Sequence, residues 1–139
     1  MNDQFVPFEI ALQLKKLGFD ELCLAYYASP KKLRYVKTSH DESFIAAHWT
    51  NSKLIGYLKC FMIIGAKSKT LCTAPLYQQV FKWFRNEHSL ESFIEPAGYL
   101  GYSYDIGGDT YSSPEGLEYE EAELACIYKL IEIVNSQKS

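Results

Sequence analysis

Leu90-Glu91-Ser92-Phe93-Ile94-Glu95-Pro96-Ala97-Gly98-Tyr99-Leu100-Gly101-Tyr102-Ser103-Tyr104-Asp105-Ile106 is the stretch that decides the fold class. Pro96-Ala97-Gly98 is a turn signal, so residues 90–95 and 99–106 read as the two arms of an antiparallel hairpin. In the second arm Leu100, Tyr102, Tyr104 and Ile106 alternate with Gly101, Ser103 and Asp105, the period of a strand with one face on a core. Tyr102 and Tyr104 therefore face inward, and Gly107-Gly108-Asp109 ends the strand.

Upstream, the spacing predicts a helix over about 74–88. Thr73 is a good N-cap, Pro75 is tolerated in a first turn, and Cys72 with Tyr77 suits a hydrophobic staple. Leu76, Tyr77, Val80, Phe81 and Phe84 make the apolar stripe, opposite Gln78, Gln79, Lys82, Arg85 and Asn86. Trp83 falls just beside that stripe and reads as exposed. Arg85 and His88 suit the negative end of the helix dipole.

Downstream, Ser113-Pro114 introduces a third helix over about 114–134. Gly116 is a weak point, so regular helix begins nearer Tyr119. Glu115, Glu118, Glu120 and Glu121 crowd the N-terminal end, where negative charge is favoured. From Ala122 to Val134 nearly every position is apolar except Glu123, Lys129 and Glu132. Such a helix is packed on more than one side, or covers a sheet and also meets a second copy of the chain, making a homodimer. Residues 134–139 read as a frayed tail.

At the other end, Pro7 opens a helix over about 7–17, with Ile10, Ala11, Leu14 and Leu17 on one face and Gly18 closing it. Leu22 to Ala28 is apolar on both faces, as in a central strand. Ser29-Pro30 breaks it, and Leu33 to Lys37 returns as a strand. Leu58 to Ile64 is a further strand, and Thr38 to Lys53 carries no clear pattern. The expectation is one compact α+β domain over residues 1–139. Its antiparallel or mixed sheet has about four to five strands, with three helices packed mainly on one face.

Composition narrows the function. The net charge of −3 argues against a dedicated nucleic-acid binder, although Lys31, Lys32, Arg34 and Lys37 cluster locally. Cys23, Cys60, Cys72 and Cys126 form no Cys-x-x-Cys pair and lie in apolar runs, which fits reduced, buried thiols in the cytoplasm. No signal peptide or membrane-spanning stretch is evident.

Thr73-Ala74-Pro75-Leu76-Tyr77-Gln78-Gln79-Val80-Phe81-Lys82-Trp83-Phe84-Arg85 forms one distinctive block. Tyr119-Glu120-Glu121-Ala122-Glu123-Leu124-Ala125-Cys126, running on to Lys129-Leu130-Ile131-Glu132, forms a second. With Phe5 to Glu9 and Gly18 to Glu21, these resemble a group of short, uncharacterised proteins of gut Bacteroidales and their phages and prophages. Tyr77 stands where that group often has Trp, and residues 38–66 do not match it. The resemblance implies an accessory role linked to mobile DNA and carries over no catalytic or binding residue.

No catalytic or metal constellation emerges from the residues. His40-Asp41-Glu42 reads as a solvated loop, and His40, His48 and His88 have no ligand spacing. Gly-x-Ser-x-Gly, the P-loop and His-Glu-x-x-His are absent, and no cofactor is implied. The excess of aromatic residues, 15% of the chain, is the best remaining signal. It points to a non-catalytic protein-binding module whose surface includes Trp83, Arg85, Tyr99 and Tyr111, with a host or phage protein as partner. Two alternatives stand beside it. One is an enzyme or small-ligand binder using residues 40–49. The other is a weak single-stranded nucleic-acid binder that stacks bases on aromatic rings.

Overall fold

A computed structural model describes residues 4–29, 32–35, 50–51, 72–98, 101–112 and 116–137. Their contacts divide the chain into two units, residues 1–76 and 77–139.

The first unit contains helix α1 (Phe8–Lys16) and strands β1 (Ala25–Ser29), β2 (Lys32–Tyr35) and β3 (Cys72–Ala74). Pro7 is the cap of α1 rather than its first residue, and its carbonyl accepts the Ala11 N–H at 2.9 Å. Gly18, at φ 97°, turns the chain out in the left-handed region that glycine adopts freely. Ile10, Ala11 and Leu14 are buried, and α1 packs against β3. β1 is the central strand, as its apolar composition implies, antiparallel to both β2 and β3. Leu22 and Leu24, just before it, are 47% and 45% exposed, so burial on both faces does not reach back that far. The Val6 N–H bonds to the Pro75 carbonyl (3.0 Å) and the Tyr27 hydroxyl donates to the Val6 carbonyl (2.6 Å), holding the N-terminal segment to the sheet.

The second unit runs α2 (Tyr77–His88), β4 (Ser92–Pro96), β5 (Tyr102–Ile106), β6 (Asp109–Tyr111) and α3 (Tyr119–Gln137). The expected hairpin is present: β4 pairs antiparallel with β5, Ile94 opposite Tyr104. Gly107 and Gly108, at φ 60° and 98°, end β5 as expected and form a two-residue turn into a further strand, β6. Asp105 fixes that turn, accepting from the Gly108 N–H (2.9 Å) and the Thr110 hydroxyl (3.3 Å). Along α3, Ala122, Cys126, Ile127, Leu130, Ile131 and Val134 form one buried stripe at helical spacing. That stripe lies on β4 and β5, and α3 also meets α2.

The α+β class and the antiparallel pairing hold. The sheet count does not: among the described residues six strands form two sheets of three, not one of four to five. The start of α2 explains part of the difference. Thr73 is a strand residue of β3 paired with Tyr26, not a helix cap, and Leu76 bridges to Phe5. Tertiary pairing thus claims the segment whose residues favour a helix start, and α2 begins at Tyr77. Likewise α3 starts at Tyr119, because Leu117 pairs with Gly101 and Tyr102 and Gly116, at φ 79°, lies outside helical geometry. The expected strand at 58–64 and the proposed cap at Ser113-Pro114 lie outside the described residues.

Candidate functional site

Of the four residues expected to form a binding surface, Trp83, Arg85 and Tyr111 are among the described residues. Trp83 is 6% exposed and packs edge-on to Phe84 and His88, with ring centroids 5.0 and 4.9 Å away. The exposed position expected for Trp83 is therefore corrected. The buried face of α2 runs through Val80, Trp83 and Phe84, and Phe81 is only half-buried. Arg85 is exposed. Tyr111 is half-buried, its ring stacked on Tyr104 at 5.1 Å with Lys129 Nζ 5.4 Å from its centroid. Lys129 in turn pairs with Glu132 at 3.2 Å. Tyr99 and residues 40–49 lie outside the described residues.

A different constellation forms where the hairpin meets the start of α3. Two backbone features build it. The Ala97 N–H bonds to the Gly101 carbonyl at 2.7 Å, and the Tyr102 N–H bonds to the Leu117 carbonyl at 2.8 Å. Gly101 has φ 89°, and a Cβ there would collide with the Leu117 carbonyl oxygen, so only glycine permits this approach. Glu118 caps α3, its carbonyl accepting the Ala122 N–H (2.9 Å) while the Glu121 carboxylate accepts the Glu118 N–H (3.3 Å). That reach-back is half of a capping box.

The result is an open groove of about 610 Å3 lined by Gly101, Tyr102, Gly116, Leu117 and the first residues of α3. Tyr102 and Tyr119 meet edge to face in it, centroids 5.3 Å apart at 84°. Tyr119 is 45% exposed; elsewhere in the unit Tyr128 is 43% and Phe93 56% exposed. Desolvation raises the Tyr119 hydroxyl pKa, with Glu123 adding to it. The Glu123 carboxyl is itself raised, mainly by burial and then by Glu120. Tyr77 is pushed up to about 12 by burial, with smaller contributions from Glu123 and Tyr128.

These shifts leave the tyrosines and thiols poor nucleophiles at neutral pH. Burial pushes Cys23 up to about 11, and Cys72 and Cys126 up to about 12, so all three stay protonated. Among the described residues no group of three His, Cys, Asp or Glu is placed to hold a metal ion, and no helix is long and apolar enough to cross a membrane. The groove was not anticipated as a site. Its signal was Gly116, which interrupts the helical pattern and frees Leu117 to pair with the hairpin. Comparison with protein-family models, with characterised proteins and with solved structures finds no match.

Proposed function

We propose that this chain is a non-catalytic protein-binding module, an accessory protein of a phage or prophage that engages a host or phage protein. The observation that carries the reading is the exposure of Phe93, Tyr119 and Tyr128, large aromatic side chains each more than two-fifths in solvent within one unit. Exposed tyrosine and phenylalanine supply contact area at low conformational cost, which is why interfaces are rich in them. With Trp83 buried, the binding surface moves from α2 to the hairpin and the first turns of α3. The bacterial and phage context rests on the sequence blocks at residues 73–85 and 119–132.

The test is affinity capture from a gut Bacteroidales lysate, comparing the wild-type chain with Tyr119→Ala and Phe93→Ser, each checked for native circular dichroism. A protein retained by wild type and lost with at least one variant is the expected result. Identical capture profiles for all three chains would contradict the reading.

A further inference from the structure

Charge is divided unevenly between the two units. Residues 1–76 carry ten lysines and arginines against six carboxylates, whereas residues 77–139 carry four against eleven. A net charge of −3 thus conceals a basic first unit and an acidic second one. Within the acidic unit, the groove at the start of α3 is lined by Glu118, Glu120 and Glu121 together with Leu117, Tyr102 and Tyr119.

We propose that this groove docks a basic segment of a partner protein, one Lys or Arg side chain lying on the Tyr102–Tyr119 pair with its charge toward the carboxylate rim. This rests on the protein-binding reading above and specifies the chemistry of the partner. The ring pair is the anchor. In an edge-to-face arrangement each ring keeps at least one π face uncovered by the other, and such faces attract cations. The rim supplies the complementary charge. Among the described residues no lysine or arginine pairs with Glu118, Glu120 or Glu121. Beyond the groove, the surplus of carboxylates across the unit steers a cationic partner toward it and repels an acidic one. The groove is open rather than enclosed, which suits a side chain presented on a polypeptide.

The experiment is fluorescence anisotropy of the full chain with a fluorescein-labelled lysine–arginine decapeptide at physiological salt. Tyr119→Ala is expected to weaken binding about five-fold. The Glu120→Gln, Glu121→Gln pair, which keeps the capping oxygen, is expected to weaken it about three-fold. A control pair, Glu87→Gln with Glu91→Gln, removes the same charge from residues that do not line the groove, and should change binding by less than about two-fold. An unchanged affinity for Tyr119→Ala would overturn the proposal. So would equal weakening by the control pair, which would mean diffuse attraction to an acidic surface. Spermine binding with the same dependence on Tyr119 as the peptide would assign the groove to a free polyamine and likewise overturn it. If the peptide does not bind while lysate capture still depends on Tyr119, the basic chemistry is refuted and the protein-binding reading stands.

Discussion

In the first unit the buried side chain of Asn51 joins two separate backbone segments. Asn51 is 6% exposed; its amide nitrogen donates to the Phe19 carbonyl at 2.7 Å and its amide oxygen accepts the Thr73 N–H at 2.9 Å. A buried residue thus ties the turn after α1 to the strand β3, and the neighbouring thiols Cys23 and Cys72 are fully buried. In the second unit a sheet of the same size and antiparallel pairing is covered by α3, yet Tyr119, Tyr128 and Phe93 stay in solvent and carboxylates outnumber cations. The difference teaches where to look for function. A buried amide that satisfies two backbone groups holds a fold together, whereas exposed aromatic rings amid surplus charge add nothing to a fold that is already packed.

Three substitutions sharpen that contrast, in falling order of effect. Asn51→Ala removes the buried hydrogen bonds to the Phe19 carbonyl and the Thr73 N–H, and should cost about 3 kcal/mol in urea unfolding. A loss below about 1 kcal/mol would mean that water replaces the amide and that Asn51 is not needed to join the two segments. Gly101→Ala comes next. It combines a left-handed backbone with a collision against the Leu117 carbonyl, and should cost about 2 kcal/mol. Gly98→Ala is its control: φ is 65° there, but no atom lies within 4 Å, so about 1 kcal/mol is expected. Equal losses at the two glycines would remove the close approach on which the groove is built.

The smallest effect concerns Glu123. Its folded pKa lies above the unfolded value, first by burial and then through Glu120. The native state therefore holds that proton more tightly than the unfolded chain does. Ionisation is a cost absent below the unfolded pKa and fully present above the folded one, so stability falls as pH rises through the acid range from about the ordinary value of 4.5. Glu123→Gln should flatten that part of the stability profile and raise the melting temperature slightly at pH 7. A melting temperature lower than wild type at pH 7 would show that the carboxylate is favourably paired.

Local patterns made much of this legible in the sequence. The alternation of Tyr102, Tyr104 and Ile106 identifies β5 as a strand, although Ser103 is buried and the two tyrosines expected to face inward are only half-buried; Gly18 closes α1 where expected. Gly107-Gly108-Asp109 marks the end of β5 in the sequence, while β6 (Asp109–Tyr111) follows a two-residue turn that the sequence reading does not include. What was not legible depended on distant pairing. Thr73 and Pro75 have good helix-start chemistry, but Tyr26 opposite Thr73 holds the segment as a strand. Counting Phe81 in the apolar stripe puts Trp83 outside it, whereas Val80, Trp83 and Phe84 share the buried side. The Tyr102–Tyr119 pair joins residues 17 positions apart and needs the Leu117 bridge to form, which residue spacing does not reveal.

The most direct test of the claim that binding belongs to the second unit pairs two exposed-surface variants in one capture experiment. Leu22→Ser with Leu24→Ser alters exposed apolar residues of the first unit, and Tyr119→Ala with Phe93→Ser alters those of the second. Each is compared with wild type for proteins captured from the same lysate. The account predicts that the first pair retains the wild-type partner and that the second loses it. Loss with the first pair and retention with the second would place the interaction on the other unit and contradict the account.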